Sequence, residues 1–288
     1  NGKPQLCMLV SIAGCILNVV LDYMFVARME LGVKGSAIGS LLVQLVTVLA
    51  QLMFFFLPDT IVRFRRFVFD REVGKEMILN GSSEFIGEMA SAISMFAFNY
   101  VLMKYVGADG VAAFTILGFV VYGYSMVCIG FGQGISPIVS ICWGAKEKET
   151  ATKIRSITNR ILLAIGTLTA LSFFVAGKRY AEIFGCSNSI ADMVATGFRI
   201  YAITFLVMGY DVTGSMYFTS CGDAKSSAII SSLRGIVLLL AFILIFPAIF
   251  GMNGVWMASP FAETLTSIVT FVLIRRQVRK NKEEENAR

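Results

Sequence analysis

Apolar residues along this chain run in long unbroken blocks, at 4–27, 34–57, 77–105, 109–142, 157–177, 188–219, 226–250 and 254–274. Each block reaches the roughly 20 residues that an α-helix needs to cross about 30 Å of hydrocarbon. A membrane-crossing β-strand would instead show alternating segments of about 10 residues, and that pattern is missing. The chain is therefore predicted to be an all-α integral membrane protein with eight transmembrane helices.

Polar residues interrupt the blocks in an ordered way. Arg63, Arg65, Arg66, Arg71 and Lys75 follow the second block. Lys146, Lys148, Lys153, Arg155 and Arg160 follow the fourth, and Arg275, Arg276, Arg279, Lys280 and Lys282 follow the eighth. The intervening loops hold far fewer, so the positive-inside rule puts the exits of even-numbered spans, and both termini, in the cytoplasm. Composition agrees: 56% of residues are apolar and 15% charged, against about 25% charged in soluble domains. The net charge of +6 is a topology signal and gives no reason to expect nucleic acid. Six cysteines at 7, 15, 128, 142, 186 and 221 lack CxxC spacing, and histidine is absent. Neither a disulfide framework nor a zinc site is indicated, and proton chemistry would fall to carboxylates.

A repeat crosses the chain at an offset of 219 residues. Gly32-x-x-Gly35 and Gly251-x-x-Gly254 each open an out-to-in helix after a hairpin, Ser40 matches Ser259, and Gln44 falls opposite Glu263. Repeats of equal orientation are known in transporters. The expected organisation is the last two helices of an N-terminal lobe (1–62), a cytoplasmic linker (63–76), a complete six-helix lobe (77–278) and a charged cytoplasmic tail (279–288). Four helices of the first lobe would then precede residue 1, the other reading being a protein of eight spans. Residues 1–288 alone are then expected not to transport, because alternating access needs two lobes.

Ionisable residues near mid-membrane cost at least about 2.5 kcal/mol on insertion scales and are functional candidates by default. Glu88 lies eleven residues after the start of its block, Asp211 eleven before Gly222, Glu263 eleven before Ile274, and Arg234 nine after Lys225. At ~1.5 Å per residue all four sit ~13 to 17 Å from the cytoplasmic helix ends. Glu84 adds a like charge one turn from Glu88. Arg234 is expected to pair with one carboxylate. The surplus negative charge must then take up a proton or a cation, and Glu263 is expected to face the interior with Glu88 and Asp211. Tyr210, Thr213, Ser215 and Asn99 are the neutral oxygens near these acids, and a sodium ion is their candidate guest; no other metal or cofactor is expected. A second polar group joins Asn18 and Asp22, at i and i+4 on one helix, to Ser40.

Three further stretches shape the picture. FGQGISP at 131–137, which contains the cavity candidate Gln133, is expected to break its span at two glycines and a proline. AKEKETATKIRS at 145–156 reads as an amphipathic linker, and KRYAEIFGCSN at 178–188 as an external turn with Glu182 solvated. Pro260, three residues before Glu263, is expected to loosen the first turns of the last helix.

LNVVLD at 17–22, GVKGSAIGS at 32–40, VGADGVAAF at 106–114, GQGISPIVSICWGAKE at 132–147, SSLRG at 231–235 and FPAIFGMNGVWMASPFAE at 246–263 together resemble the multidrug and toxic compound extrusion (MATE) transporters. The resemblance covers nearly the whole chain. It implies two six-helix lobes, export of small cationic or amphipathic compounds in exchange for sodium or protons, a bacterial-type inner membrane, and a monomer when full-length. The family's first-lobe cation site has an Asn and Asp at i, i+4 and a hydroxyl on the next helix, which Asn18, Asp22 and Ser40 match; its partner acid on the first helix has no counterpart here. In the second lobe some members place a Glu and an Asp near the positions of Glu88 and Asp211, displaced by up to a turn.

The residues speak against two other classes. A two-aspartate intramembrane protease needs its second aspartate on a separate helix, whereas Asp223 ends the span that carries Asp211; with no P-loop and no serine and histidine pair, no enzyme is expected. A lipid-linked saccharide flippase of the same superfamily would need a more cationic interior than these acids provide.

Overall fold

The computed structural model describes residues 4–56 and 70–286, without the side chains of residues 4, 54, 83, 84, 91, 282 and 284–286. The Glu84 side chain and the basic residues Arg63, Arg65 and Arg66 thus lie outside the described residues. All regular structure among the described residues is helical. Helix α1 spans Pro4–Asp22 and continues as a π-helical turn over Tyr23–Arg28, followed by α2 (Gly32–Phe54), α3 (Arg71–Tyr105), α4 (Ala108–Gly144), α5 (Lys148–Ile183) and α6 (Asn188–Ser220). Helix α7 (Ala224–Ser232) passes through a π-helical turn (Leu233–Val237) into α8 (Leu238–Phe250), and α9 runs over Met252–Asn286. Eight of these stretches, counting each interrupted helix once, are long and apolar enough to cross a membrane.

The chain separates into two compact units, Asn1–Asp70 and Arg71–Arg288. The first is the α1–α2 hairpin. Gly32, at φ +53°, opens α2, and a Cβ on Gly35 would stand 2.9 Å from the backbone of Phe25, so only glycine lets the two helices meet there.

The second unit is a bundle of six spans built around α6. Tyr124, Leu162, Phe198, Phe205 and Trp256, all buried, join α4, α5, α6 and α9 in one cluster. Phe98, Leu102, Ile243 and Val255 join α3, α8 and α9 in a second. A third, of Val139, Ala151, Tyr217, Phe218, Ile230 and Ile274, closes the end of the bundle near the α4–α5 and α6–α7 turns. Elsewhere large apolar side chains point outward, Phe96, Ile141, Leu168 and Val175 among them. Outward apolar side chains suit a lipid surround, where there is no water to avoid.

Several segments are more regular than their residues suggest. Helix α4 continues through Pro137, where the Ser136 hydroxyl lies 2.7 Å from that of Ser220 and the Ser140 hydroxyl donates to the Ser220 carbonyl. The expected linker at 145–156 shrinks to the turn Ala145–Glu147, and α5 begins at Lys148 because Lys153 pairs with Glu149 one turn away and Ala151 packs into the core. At 178–188, α5 persists to Ile183, Lys178 pairs with Asp192 at 2.6 Å, and only residues 184–187 form the turn, ending in the Ser187 N-cap of α6. Residues 71–76, read from their charge as linker, are the first turns of α3. Helix α9 likewise runs unbroken through Pro260, held by the fully buried Trp256, Ala258 and Ala262 on either side. Packing overrides the local tendency to break in each case, and the loosened turn appears instead in the facing span, at Leu233–Val237.

Candidate functional site

A cavity of about 240 Å³ lies inside the six-span bundle. Helix α3 contributes Glu88 and Ser94, α4 contributes Ser125 and Gln133, α6 contributes Asp211 and Ser215, the α7–α8 span contributes Ser231 and Arg234, and α9 contributes Glu263. Glu88 and Gln133 are exposed, whereas Asp211 and Glu263 are buried in the wall.

The π-helical turn carries Arg234 and widens the span at the point where it faces α9. Such turns recur at functional sites because the extra residue redirects a side chain and relaxes the backbone pairing. Here the Arg234 Nε donates to Glu263 Oε1 at 2.8 Å, with the arginine side chain a quarter exposed and the glutamate 6% exposed. The Ser94 hydroxyl donates to the Gly235 carbonyl and ties the same turn to α3. Glu263 Oε2 is buried without a hydrogen-bond partner. A half-satisfied carboxylate away from water is costly, so this oxygen is the one in the cavity best placed to gain from a proton or a cation.

Asp211 is satisfied on both oxygens. Ser267 donates to Oδ2 at 2.7 Å and Thr270 to Oδ1 at 2.8 Å, both from α9. These contacts need α6 and α9 to approach closely, and Gly214 permits it: a Cβ there would fall 2.5 Å from the Thr270 methyl. With Glu88, the cavity holds three carboxylates against one guanidinium, a formal excess of two negative charges.

The structure thus brings Glu88, Gln133, Asp211, Arg234 and Glu263 to one cavity, and Ser215 with them. It places three other expected residues elsewhere. Tyr210 stacks its ring against Arg155, 5.9 Å from the guanidinium; Thr213 bonds to Asn159 and the Gly209 carbonyl; and the Asn99 amide donates to the Met95 carbonyl. Tyr210 and Thr213 are close to Asp211 in sequence, but successive helical residues are turned by about 100° and face other helices. Asn99 lies more than a turn beyond Ser94, the α3 residue that does reach the cavity. Ser94, Ser231, Ser267 and Thr270 had no place in the sequence reading. Ser267 and Thr270 were signalled by spacing, since they follow Glu263 at i+4 and i+7 and so share its face. Among the described residues no group of three or more His, Cys, Asp or Glu side chains converges on one metal position.

The first unit has a polar group of its own. The Asn18 amide donates to the Ser40 hydroxyl at 3.4 Å, and Asp22 Oδ1 is buried against Gly39 without a partner.

Comparison with known proteins gives a consistent family. A family model described as MatE matches residues 85–245, more than half of the chain. Multidrug export protein MepA of Staphylococcus aureus is 20% identical over 280 residues, which cover 95% of this chain and 60% of that protein. MepA of Staphylococcus saprophyticus is 20% identical over 277 residues with the same coverage. The chain therefore spans about 60% of the length of the curated relatives it matches. Among solved structures, a MATE in complex with MaL6 superposes with a TM-score of 0.89 at 24% identity, over 96% of this chain and 63% of that one. A Pyrococcus furiosus transporter of the MOP superfamily, described as having a binding pocket of reverse polarity that suggests a different function, superposes at 0.87 and 23% identity, over 96% of this chain and 63% of that one.

Proposed function

The chain belongs to the MatE family of multi-pass membrane transporters, and from that premise we propose that in its natural full-length protein it forms one lobe of a secondary antiporter, exporting cationic or amphipathic compounds in exchange for protons or sodium. The observation that carries this reading is that two buried carboxylates, Asp211 and Glu263, share the cavity with one guanidinium, the exposed Glu88 adding a third. Uncompensated negative charge in low dielectric favours a cation or a proton. Cargo and coupling ion that answer the same charge exclude each other, and mutual exclusion is the minimal requirement of exchange. An anionic headgroup, by contrast, would meet repulsion.

The volume refines the proposal. Drug-sized sites begin at about 300 Å³, so this cavity suits the charged end of a cargo or a coupling ion, with the apolar remainder lying outside it. Arg234 keeps Glu263 in the wall and leaves one of its oxygens available, while Ser267 and Thr270 hold Asp211 in a fixed orientation.

The test is to reconstitute the natural full-length protein in vesicles and follow ethidium efflux under separately imposed sodium and proton gradients. Efflux driven by either gradient and inhibited when the other partner saturates the site is the expected result. Ethidium movement indifferent to both gradients would remove the antiport reading.

A further inference from the structure

We infer that a file of four hydroxyls conducts protons between the acidic cavity and the turn at Gly222. This rests on the proton-driven form of the export reading. Ser231 and Ser215 both line the cavity beside Asp211 and Glu263. Their hydroxyls are 3.0 Å apart; Ser215 Oγ is 2.9 Å from Ser227 Oγ; and Ser227 Oγ is 2.7 Å from Thr219 Oγ1. Thr219 lies in the last turn of α6 and is partly exposed, whereas Ser227 is fully buried and Ser215 is 9% exposed. The file therefore starts in the cavity, crosses the sealed contact between α6 and α7, and ends near the surface that the charge pattern assigns to the cytoplasm.

Two features separate this arrangement from ordinary helix packing. Buried helical hydroxyls usually end on the carbonyl four residues back, as Thr158 and Thr266 do, and Thr219 keeps such a contact as well. Along the file, oxygen faces oxygen at three successive contacts, and in each either atom can donate. Reversible polarity is the property a relay needs. The second feature is the acid at its head: Glu263 lines the same cavity, and its Oε2 is buried without a hydrogen-bond partner. The cavity is large enough for several waters at about 30 Å³ each, which can carry a proton from the acidic lining to Ser231.

The transfer balances at each oxygen. A proton leaves the Glu263 carboxyl and reaches a lone pair of Ser231 through water, as the Ser231 proton passes to Ser215, the Ser215 proton to Ser227 and the Ser227 proton to Thr219. Thr219 releases its own proton, which otherwise points to the Ser215 carbonyl at 3.2 Å, to water at the turn. Each hydroxyl gains one proton and loses one, the carboxylate recovers its charge, and the hydroxyls rotate back before the next passage. No electrons move.

The experiment uses the natural full-length protein in vesicles containing a pH-sensitive dye, with ethidium as probe, and compares Thr219→Val, Thr219→Ser and Ser227→Ala. Valine keeps the shape of threonine and removes the hydroxyl; serine keeps the hydroxyl. The relay requires ethidium-coupled proton flux to fall by at least about tenfold in Thr219→Val and Ser227→Ala, in line with the loss of a positioned proton-transfer group. Flux in Thr219→Ser and the ethidium Kd of all three should stay within about twofold of the unmodified protein. Normal flux in Thr219→Val, or equal loss in Thr219→Val and Thr219→Ser, would overturn the relay in favour of packing. If the unmodified protein moves no protons but exports ethidium on a sodium gradient, the relay falls and export stands. Hydroxyl-dependent proton flux with no ethidium movement would retain the relay and remove export.

Discussion

The α1–α2 hairpin and the hairpin of α7, α8 and α9 share a pair of turn glycines and carry different polar groups. In each, a glycine at positive φ opens the returning helix, Gly32 at +53° and Gly251 at +58°. In each, a second glycine three residues later lies against the backbone of a phenylalanine in the outgoing helix, Gly35 on Phe25 and Gly254 on Phe246. Side chains diverge from there. Gln44 is exposed while Glu263, its counterpart, is buried on Arg234. Ser40 accepts from Asn18 in its own hairpin, and Ser259 lies on α9, which packs against α6. Asp22, which has no acidic counterpart in the second hairpin, ends α1, whereas the charged pair of the second hairpin lies in mid-span. A pair of turn glycines thus recurs with unrelated chemistry mounted on it, because a tight turn depends on a few glycines and a site depends on every helix around it.

The largest expected effect separates the two hairpins. In the full-length protein Glu263→Gln should lower coupled ethidium efflux by about 100-fold, the scale of a lost proton-transfer group, whereas Gln44→Ala and the exposed Glu182→Gln should leave it within about twofold. Normal pumping by Glu263→Gln would demote the buried glutamate to packing.

Next in size is the ion pair. Arg234→Gln strands the buried Glu263 and should destabilise the protein by about 2 kcal/mol, less than a fully buried pair because the arginine is a quarter exposed. Arg234→Gln combined with Glu263→Gln should recover at least half of that loss in unfolding measurements in detergent. Additive losses would mean that the pair contributes nothing as a pair.

The glycine contacts give smaller differences. A Cβ on Gly254 would sit 2.2 Å from the Phe246 carbonyl oxygen, against 2.9 Å for Gly35 on Phe25. Gly254→Ala should therefore cost about 2 kcal/mol and Gly35→Ala about 1 kcal/mol by overpacking. At the turn glycines a Cβ meets no neighbouring atom, so only backbone strain counts. Gly251, at φ +58° and ψ −135°, lies outside the left-handed helical region, and Gly251→Ala should cost about 2 kcal/mol. Gly32→Ala, at φ +53°, should cost about 1 kcal/mol, the same as Gly35→Ala; a larger loss at Gly32 than at Gly251 in unfolding measurements would overturn this order.

Legibility varied with the range of the interaction. The eight spans were readable because span length is a local sum of apolar residues, and the turn glycines because positive φ selects glycine residue by residue. That Asp211, Arg234, Glu263 and Glu88 fall at similar distances along their helices was readable too, since rise per residue is constant, and the four line one cavity. Rotation about the helix axis was not: it excluded Tyr210 and Thr213 from the cavity and admitted Ser94 and Ser231, which had attracted no notice. The breaks expected at Pro137 and Pro260 also failed to appear.

Number of spans, turn glycines and the depth of the acids are properties of the chain taken one segment at a time, and for them composition and periodicity suffice. Which carboxylate meets Arg234, which hydroxyls dress Asp211 and which line up from Ser231 to Thr219 depends on how α3, α6, α7 and α9 cross. Those crossings are set by contacts between residues as far apart as Gly214 and Thr270 or Ser94 and Gly235, and no local pattern records them.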